Sequence, residues 1–293
     1  MTAVKILRNE RFSHHSTMGV GGPARWMGFP DSVEGIQEML RLATEENLPV
    51  FVMGSGSNLI VSDDGFDGVV INLSKSFKTI EHKNGKIISG SGVLLSKLIR
   101  FCLEHSLAGA EKLIGIPGTL GGAVKMNAGA FGQEISDCLV GVTVLKRCGE
   151  IIFLPKEKIE FSYRQSSILD IIVSAEFRFH ESDSDEIRKS IAEISAKRKE
   201  QQPINFRSSG CIFKNPNEKS AGWLIDQAGL KGMQIGDAQI SEKHANFFIN
   251  TGASTAQDLY LLMRKVREIV YEKYKISLMP EVQLIGFEEA FDE

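Results

Sequence analysis

Two stretches of small residues carry the clearest chemical signal in the chain. They are Gly54-Ser55-Gly56-Ser57-Asn58 and Gly115-Ile116-Pro117-Gly118-Thr119-Leu120-Gly121-Gly122-Ala123, the latter running on to Met126-Asn127-Ala128-Gly129-Ala130. Without Cβ atoms the main chain turns tightly, adopts positive φ and brings its N–H groups against a bulky ligand. The first stretch follows the apolar run Val50-Phe51-Val52-Met53. A strand entering such a turn commonly presents amides and serine hydroxyls to a pyrophosphate. A glycine-rich loop taken alone is more often a tight connection, but two separated grips point to a long dinucleotide cofactor. The third glycine of G-x-G-x-x-G is missing, since Leu59 stands in its place, and this disfavours a Rossmann NAD site. No H-E-x-x-H or Cys/His ligand spacing occurs, so no metal is expected, and no G-x-S-x-G elbow supports a hydrolase.

The elements that must position these turns begin with a β-α-β pattern. Ile36, Met39, Leu40 and Ala43 recur at helical spacing within Val33 to Glu46, and the strand 50–53 follows. Strands are expected at 69–72, 79–82 and 87–88, the last two joined by an Asn84-Gly85 hairpin turn. A helix from Val93 to His105 with Leu94, Leu98, Phe101 and Cys102 on one face leads to the major glycine run. Strands then cover 140–145 and 151–154, and Ile171, Val173, Ala175, Phe177 and Phe179 alternate as a strand with one buried face. A polar helix from about Asp185 turns Ile187, Ile191 and Ile194 inward, and its tail Lys197-Arg198-Lys199-Glu200 reads as a solvated face ending before Pro203. Beyond it lie a short helix capped by Ser220, a strand at 246–250, a helix behind a capping box at Ser254-Thr255-Ala256-Gln257, and a final strand from Glu281 to Ile285.

The chain has 293 residues, 42% of them hydrophobic, and a net charge of −3, which suits a globular protein with two or three cores. Lys and Arg are scattered, so no footprint for nucleic acid appears. No apolar run approaches the ~20 residues of a membrane span. A cytoplasmic protein is expected, with Cys102, Cys138, Cys148 and Cys211 as reduced thiols.

Seven motifs in order give the sequence its family likeness: Gly21-Gly22-Pro23-Ala24, the two glycine stretches, Phe161-Ser162-Tyr163-Arg164, Gly210-Cys211-Ile212-Phe213-Lys214-Asn215-Pro216, Ala221-Gly222-Trp223-Leu224-Ile225-Asp226, and Pro280-Glu281-Val282. Together they resemble the UDP-N-acetylenolpyruvoylglucosamine reductases, flavoenzymes of bacterial peptidoglycan synthesis, over nearly the whole chain. The resemblance implies an α+β fold: a two-subdomain FAD-binding domain of the vanillyl-alcohol-oxidase type over residues 1–200 (about 1–75 and 76–200), and a C-terminal α+β substrate domain over 201–293. It implies non-covalent FAD, held by Gly54, Ser55, Gly56, Ser57, Asn58, Gly115, Ile116, Pro117, Gly118, Thr119, Gly121, Gly122, Ala123, Asn127, Ala128 and Gly129. NADPH is the implied hydride donor, and a UDP-sugar enolpyruvyl ether the implied substrate.

The same resemblance assigns Arg164 to the enolate that forms beside the substrate carboxylate, where a permanent guanidinium fork suits the charge. It puts Cys211 where many relatives carry a serine proton donor. A thiol of ordinary pKa about 8.5 is mostly protonated at neutral pH and is a better acid than a hydroxyl. Glu281 matches the family glutamate at the enolic centre, in either protonation state. Tyr163, Lys214, Asn215, Lys231 and His244 match positions near the substrate, although a surface role for His244 fits its polar context equally. The short Asn217-to-Ser220 segment resembles the subtype that lacks a tyrosine-bearing insertion. A monomer without nucleic-acid or membrane partners is expected. A different flavin oxidoreductase, or a flavin-binding protein without turnover, are the alternatives.

Overall fold

The computed structural model describes residues 4–216 and 219–287. Asn217, at the start of the shortened segment, lies outside the described residues. The chain forms two compact units, one from Met1–Leu7, Trp26–Ser55 and Gly68–Arg198, the other from Arg8–Arg25, Gly56–Asp67 and Lys199–Glu293.

The first unit has two apolar cores. Helix α1 (Val33–Glu45) starts at Ser32, whose hydroxyl accepts from the Gly35 N–H at 3.2 Å. It buries Ile36, Met39 and Ala43 against Val69 and Ile71. These strand residues belong to a four-stranded sheet ordered Lys5–Arg11, Pro23–Phe29, Phe66–Asn72, Val50–Met53. Its first two strands carry no clean alternation, which is why the sequence did not announce them. The second core fills one face of a five-stranded sheet ordered Ile151–Pro155, Leu139–Leu145, Ile171–Phe177, Lys86–Gly90, Ile80–Lys83. The hairpin at Asn84-Gly85 forms as expected, with both residues at positive φ.

Helix α2 (Leu95–Glu104) starts later than its pattern suggested. Leu94 becomes its exposed cap, and Leu95 and Ile99 join Leu98 and Cys102 in the core. The glycine run forms a short helix α3 (Leu120–Lys125) that periodicity did not reveal. Helix α4 (Ser184–Gln201) buries Ile187 and Ile194 as expected, but its basic tail is not uniformly solvated. Arg198 is buried, with its guanidinium 5.4 Å from the Phe131 ring centre and its Cδ so close to Gly115 that an added Cβ would lie 2.8 Å away.

The second unit packs helix α5 (Ala221–Gln227) and helix α6 (Ala256–Tyr274) on a sheet ordered Arg207–Cys211, Phe247–Asn250, Ala238–Ile240, Gln234–Ile235. Leu59–Val61 pairs in parallel with Gln283–Ile285. The N-terminal segments of this unit give Met18, Val20 and Ile60 to the same core as Phe213, Phe248, Leu259 and Leu262. The cap of α6 sits one residue later than the sequence pattern suggested: Thr255 Oγ1 accepts from Asp258 N at 3.0 Å, and Asp258 Oδ2 accepts from Thr255 N at 2.9 Å. Asp63 adds what the local motif could not show, accepting from Ala256 N at 3.1 Å and Gln257 N at 2.9 Å at the positive end of the helix.

Two substitutions separate capping from packing in this unit. Asp63→Ala is expected to cost about 1 kcal/mol, because it strips acceptors from exposed helix donors. Leu259→Ala is expected to cost about 2–5 kcal/mol, because it empties a fully enclosed site. Urea unfolding of both variants would measure the gap, and equal midpoints would overturn it.

Candidate active site

In the first unit Gly54, which opens the first glycine turn, lies against Thr119 of the long glycine run. The position a Cβ would take on Gly54 lies 2.0 Å from Thr119 Oγ1, so these turns meet only because residue 54 has no side chain. Leu120 N and Gly121 N donate to Val93 O and Ser91 O at 2.7 and 2.8 Å and seat the glycine run on the loop after the strand Lys86–Gly90. Around this seat Ser55 Oγ, Ser89 Oγ and Ser91 Oγ are buried with no hydrogen-bond partner among the described residues. Buried hydroxyls without partners are costly unless a ligand supplies acceptors. Serine donors beside Cβ-free backbone fit the anionic, extended form of FAD, for which a pyrophosphate is the principal polar demand.

The run also holds the Arg164 side chain in place. Arg164 stands with Tyr163 in the two-residue turn between Phe161–Ser162 and Gln165–Ser166, at φ +59°. A left-handed arginine is uncommon and persists only where the surroundings fix it. Here its Nη2 donates to Gly129 O at 2.9 Å, and the guanidinium carbon lies 4.7 Å from the Tyr163 ring centre. Asn127, fully buried, donates through Nδ2 to Ser162 O at 3.1 Å and Glu134 Oε2 at 2.6 Å, while Ser166 Oγ donates to Lys125 O at 2.8 Å. Asn127 therefore braces the arginine turn, a role its position in the glycine run did not disclose.

In the second unit a β-bulge sets the site. Arg207 and Ser208 pair with Asn250 and Ile249, but the next registered pair is Cys211 with Phe247, so Ser209 and Gly210 together oppose one residue. Gly210 has φ +76° and open space where a side chain would project. The bulge re-aims Cys211, which is half-buried. Immediately beyond it Ile212 O accepts from Glu281 N at 2.7 Å, Lys214 N donates to Met279 O at 2.8 Å, and Phe213 bridges to Pro280. Cys211, Lys214, Asn215 and Glu281 are thus gathered on two crossing segments. The strand expected to begin at Glu281 begins at Gln283, because residues 280–282 are drawn onto Ile212 and Phe213.

Asparagines supply most of the support that sequence reading missed. Buried Asn246 grips Phe213 from both sides, accepting from its N–H at 3.0 Å and donating to its carbonyl at 2.8 Å. Asn215 Oδ1 accepts from Ala221 N at 3.0 Å and helps to start α5. Asn250 Nδ2 donates to Met18 O at 3.1 Å. His244 Nδ1 takes the Asn246 N–H at 3.3 Å, which leaves the ring proton on Nε2, and burial lowers the imidazole pKa further from its ordinary value. Lys231 pairs with Asp226 at 2.9 Å.

This geometry agrees with the relationships of the chain. Residues 202–285 match the C-terminal domain of UDP-N-acetylenolpyruvoylglucosamine reductase, and residues 27–154 match a FAD binding domain. UDP-N-acetylenolpyruvoylglucosamine reductases of Caldanaerobacter subterraneus and Syntrophus aciditrophicus are 39% and 41% identical to it, over 96% of this chain and 94% and 92% of theirs. The crystal structure of UDP-N-acetylenolpyruvylglucosamine reductase from Thermus caldophilus superposes with a TM-score of 0.84 at 35% identity, covering 98% of this chain and all of that one. The chain belongs to the UDP-N-acetylenolpyruvoylglucosamine reductase family. Its fold is the α+β class expected for that family. Among the described residues no helix of this family member is long and apolar enough to cross a membrane.

The four thiols of this reductase-family chain fall into two classes. Burial pushes Cys102 and Cys138 up to about 12, whereas Cys148 is exposed and Cys211 half-buried. A thiol titrating near 12 is about one part in 10⁴ thiolate at pH 8. A brief iodoacetamide pulse at pH 8 followed by peptide mass spectrometry is expected to mark Cys148 and Cys211 and to spare Cys102 and Cys138 until the chain is denatured. The two buried thiols keep their protons in the fold but lose them near 9 when unfolded, so stability present below pH 9 is expected to fall as pH rises through about 12. Equal labelling of all four thiols in the native protein would contradict this division.

Proposed function

We propose that the chain reduces the enolpyruvyl group of UDP-N-acetylglucosamine enolpyruvate to the lactyl ether of UDP-N-acetylmuramate, with NADPH as electron source and non-covalent FAD as carrier. The observation that carries this reading is the 2.7 Å bond from Glu281 N to Ile212 O, which sets Glu281 beside the residue that follows Cys211, in a chain 39–41% identical to such reductases. The product serves peptidoglycan precursor synthesis in the cytoplasm, and the working form is a monomer. Residues 1–200 bind the cofactor, and residues 201–293 supply most substrate contacts. Bound FAD supplies the two-electron chemistry that delivers a hydride to the alkene.

The chain's own residues perform the remaining tasks. Serine hydroxyls and glycine amides of the two turns hold the pyrophosphate. Arg164, committed by its left-handed turn and by Gly129 O to one orientation, presents fixed positive charge to the carboxylate on which enolate charge develops. Such preorganised charge acts without reorientation during the reaction. Cys211 Sγ, at the bulge, holds the proton that goes to the α-carbon, and the thiol replaces the serine of relatives without losing the acid. The Glu281 carboxyl acts beside it: protonated it donates a hydrogen bond, ionised it is held by a cation. Tyr163, Lys214, Asn215, Lys231 and neutral His244 line the substrate side, with His244 Nε2–H available as a donor.

Half-reactions test the assignment. Acid precipitation is expected to leave a yellow supernatant, and a yellow pellet would refute non-covalent attachment. Cys211→Ala should be reduced by NADPH within about threefold of the parent rate. When pre-reduced enzyme is mixed rapidly with the enolpyruvyl sugar nucleotide, its reoxidation should slow roughly 10²–10⁴-fold, the usual cost of losing a general acid. Cys211→Ser should retain more of that rate than Cys211→Ala. Equal reoxidation by parent and Cys211→Ala would remove Cys211 from the mechanism.

A further inference from the structure

We infer that Asn58, the last residue of the first glycine turn, is a positioning residue for Glu281 rather than a ligand of the cofactor's phosphates. The inference rests on the proposed role of Glu281. Asn58 Nδ2 donates to Glu281 O at 3.1 Å, and Asn58 O accepts from Gln283 N at 3.0 Å. Glu281 N donates to Ile212 O at 2.7 Å. The peptide planes on both sides of the Glu281 Cα are therefore fixed, the first by the segment that carries Cys211 and the second by Asn58 at 3.1 Å together with the longer 3.5 Å bond from Val282 N to Ile212 O. Fixing both planes fixes the direction of the Cα–Cβ bond and leaves the carboxyl only its own side-chain rotations.

The chemistry of the contact explains the residue type. A carbonyl only accepts, so the amide nitrogen of Asn58 must face Glu281 O, and this settles its orientation. Of the two hydrogens on the amide nitrogen, the one directed at Glu281 O ties the position of the side chain to that carbonyl. Aspartate has the same shape but would oppose the Glu281 carbonyl with a carboxylate oxygen. Serine is too short to span the same gap. The turn itself is held in register by Thr17 N, which donates to Gly56 O at 3.1 Å, and Gly56 has no room for a side chain, since its Cβ position lies 2.3 Å from His15 O.

Asn58→Asp, Asn58→Ser and Glu281→Gln, singly and with each Asn58 variant combined with Glu281→Gln, test the inference. For both Asn58 variants, flavin affinity measured by fluorescence titration is expected to stay within threefold of the parent, as is reduction by NADPH. Peptides covering residues 279–285 should exchange amide hydrogens faster than in the parent. Reoxidation of pre-reduced enzyme by the enolpyruvyl substrate should fall at least tenfold, and the limb of its pH profile set by Glu281 should shift. In the Glu281→Gln background the same change should slow reoxidation less than twofold, because the residue through which Asn58 acts is already gone. Asn58→Ser carries the cycle if Asn58→Asp does not fold. A more than tenfold loss of flavin affinity with unchanged reoxidation of the flavin-saturated enzyme would make Asn58 a cofactor ligand and overturn the inference. So would equal losses in both backgrounds. A parental reoxidation rate in Glu281→Gln would instead refute the role of Glu281, and the inference would fall with it.

Discussion

The 2.7 Å hydrogen bond from Glu281 N to Ile212 O is the contact on which the placement of Glu281 beside the Cys211 segment depends. It joins the segment after the β-bulge to the segment before the last strand, and neither is regular secondary structure where they meet. Irregular backbone keeps a fixed shape only if its polar groups find partners. Asn246 supplies partners for Phe213, and Met279 O supplies one for Lys214. Cys211 and Glu281 are near one another because main-chain bonds leave the two segments no other register. Side-chain attraction between them is not required.

The first unit meets an analogous constraint by removing atoms. Gly54 makes room for Thr119, and the seat formed by Ser91 and Val93 locates the glycine run. From there Gly129 and Asn127 hold a strained arginine turn. One stretch therefore does two things: it leaves backbone free of side chains and it braces the Arg164 guanidinium. Strain at Arg164 is tolerable because hydrogen bonds from neighbouring turns outweigh it locally.

Much of this was legible in the sequence. Helices α1, α2, α4 and α6 showed apolar periodicity, the Asn84-Gly85 turn announced its hairpin, and the glycine stretches marked close backbone approach. The residues near Cys211 and Glu281 came from family likeness, since nothing in local pattern brings positions 70 residues apart together. What stayed hidden has a common physical origin. Asp63 on the α6 terminus, Asn246 on Phe213 and Arg198 against Gly115 are polar groups whose partners are remote in sequence. Periodicity describes what a residue does for its own element, and a single polar side chain has no period. The bulge at Ser209-Gly210 was equally silent, because register belongs to two strands and only one is read at a time.

The composition of the second unit bears on how the chain is made. Met18, Val20 and Ile60 are synthesised long before Leu278 and Val282, which complete the same core. At about 5–20 residues per second, the stretch between Ile60 and Val282 takes on the order of 10–50 s to synthesise. Throughout that time these apolar side chains lack their final neighbours, while Gly68–Arg198 already forms a contiguous block. Until Leu278 and Val282 are made, the apolar side chains of Met18, Val20 and Ile60 have no complete core to enter. Pairings this distant in sequence are intrinsically slow to form and set the pace at which the second unit assembles.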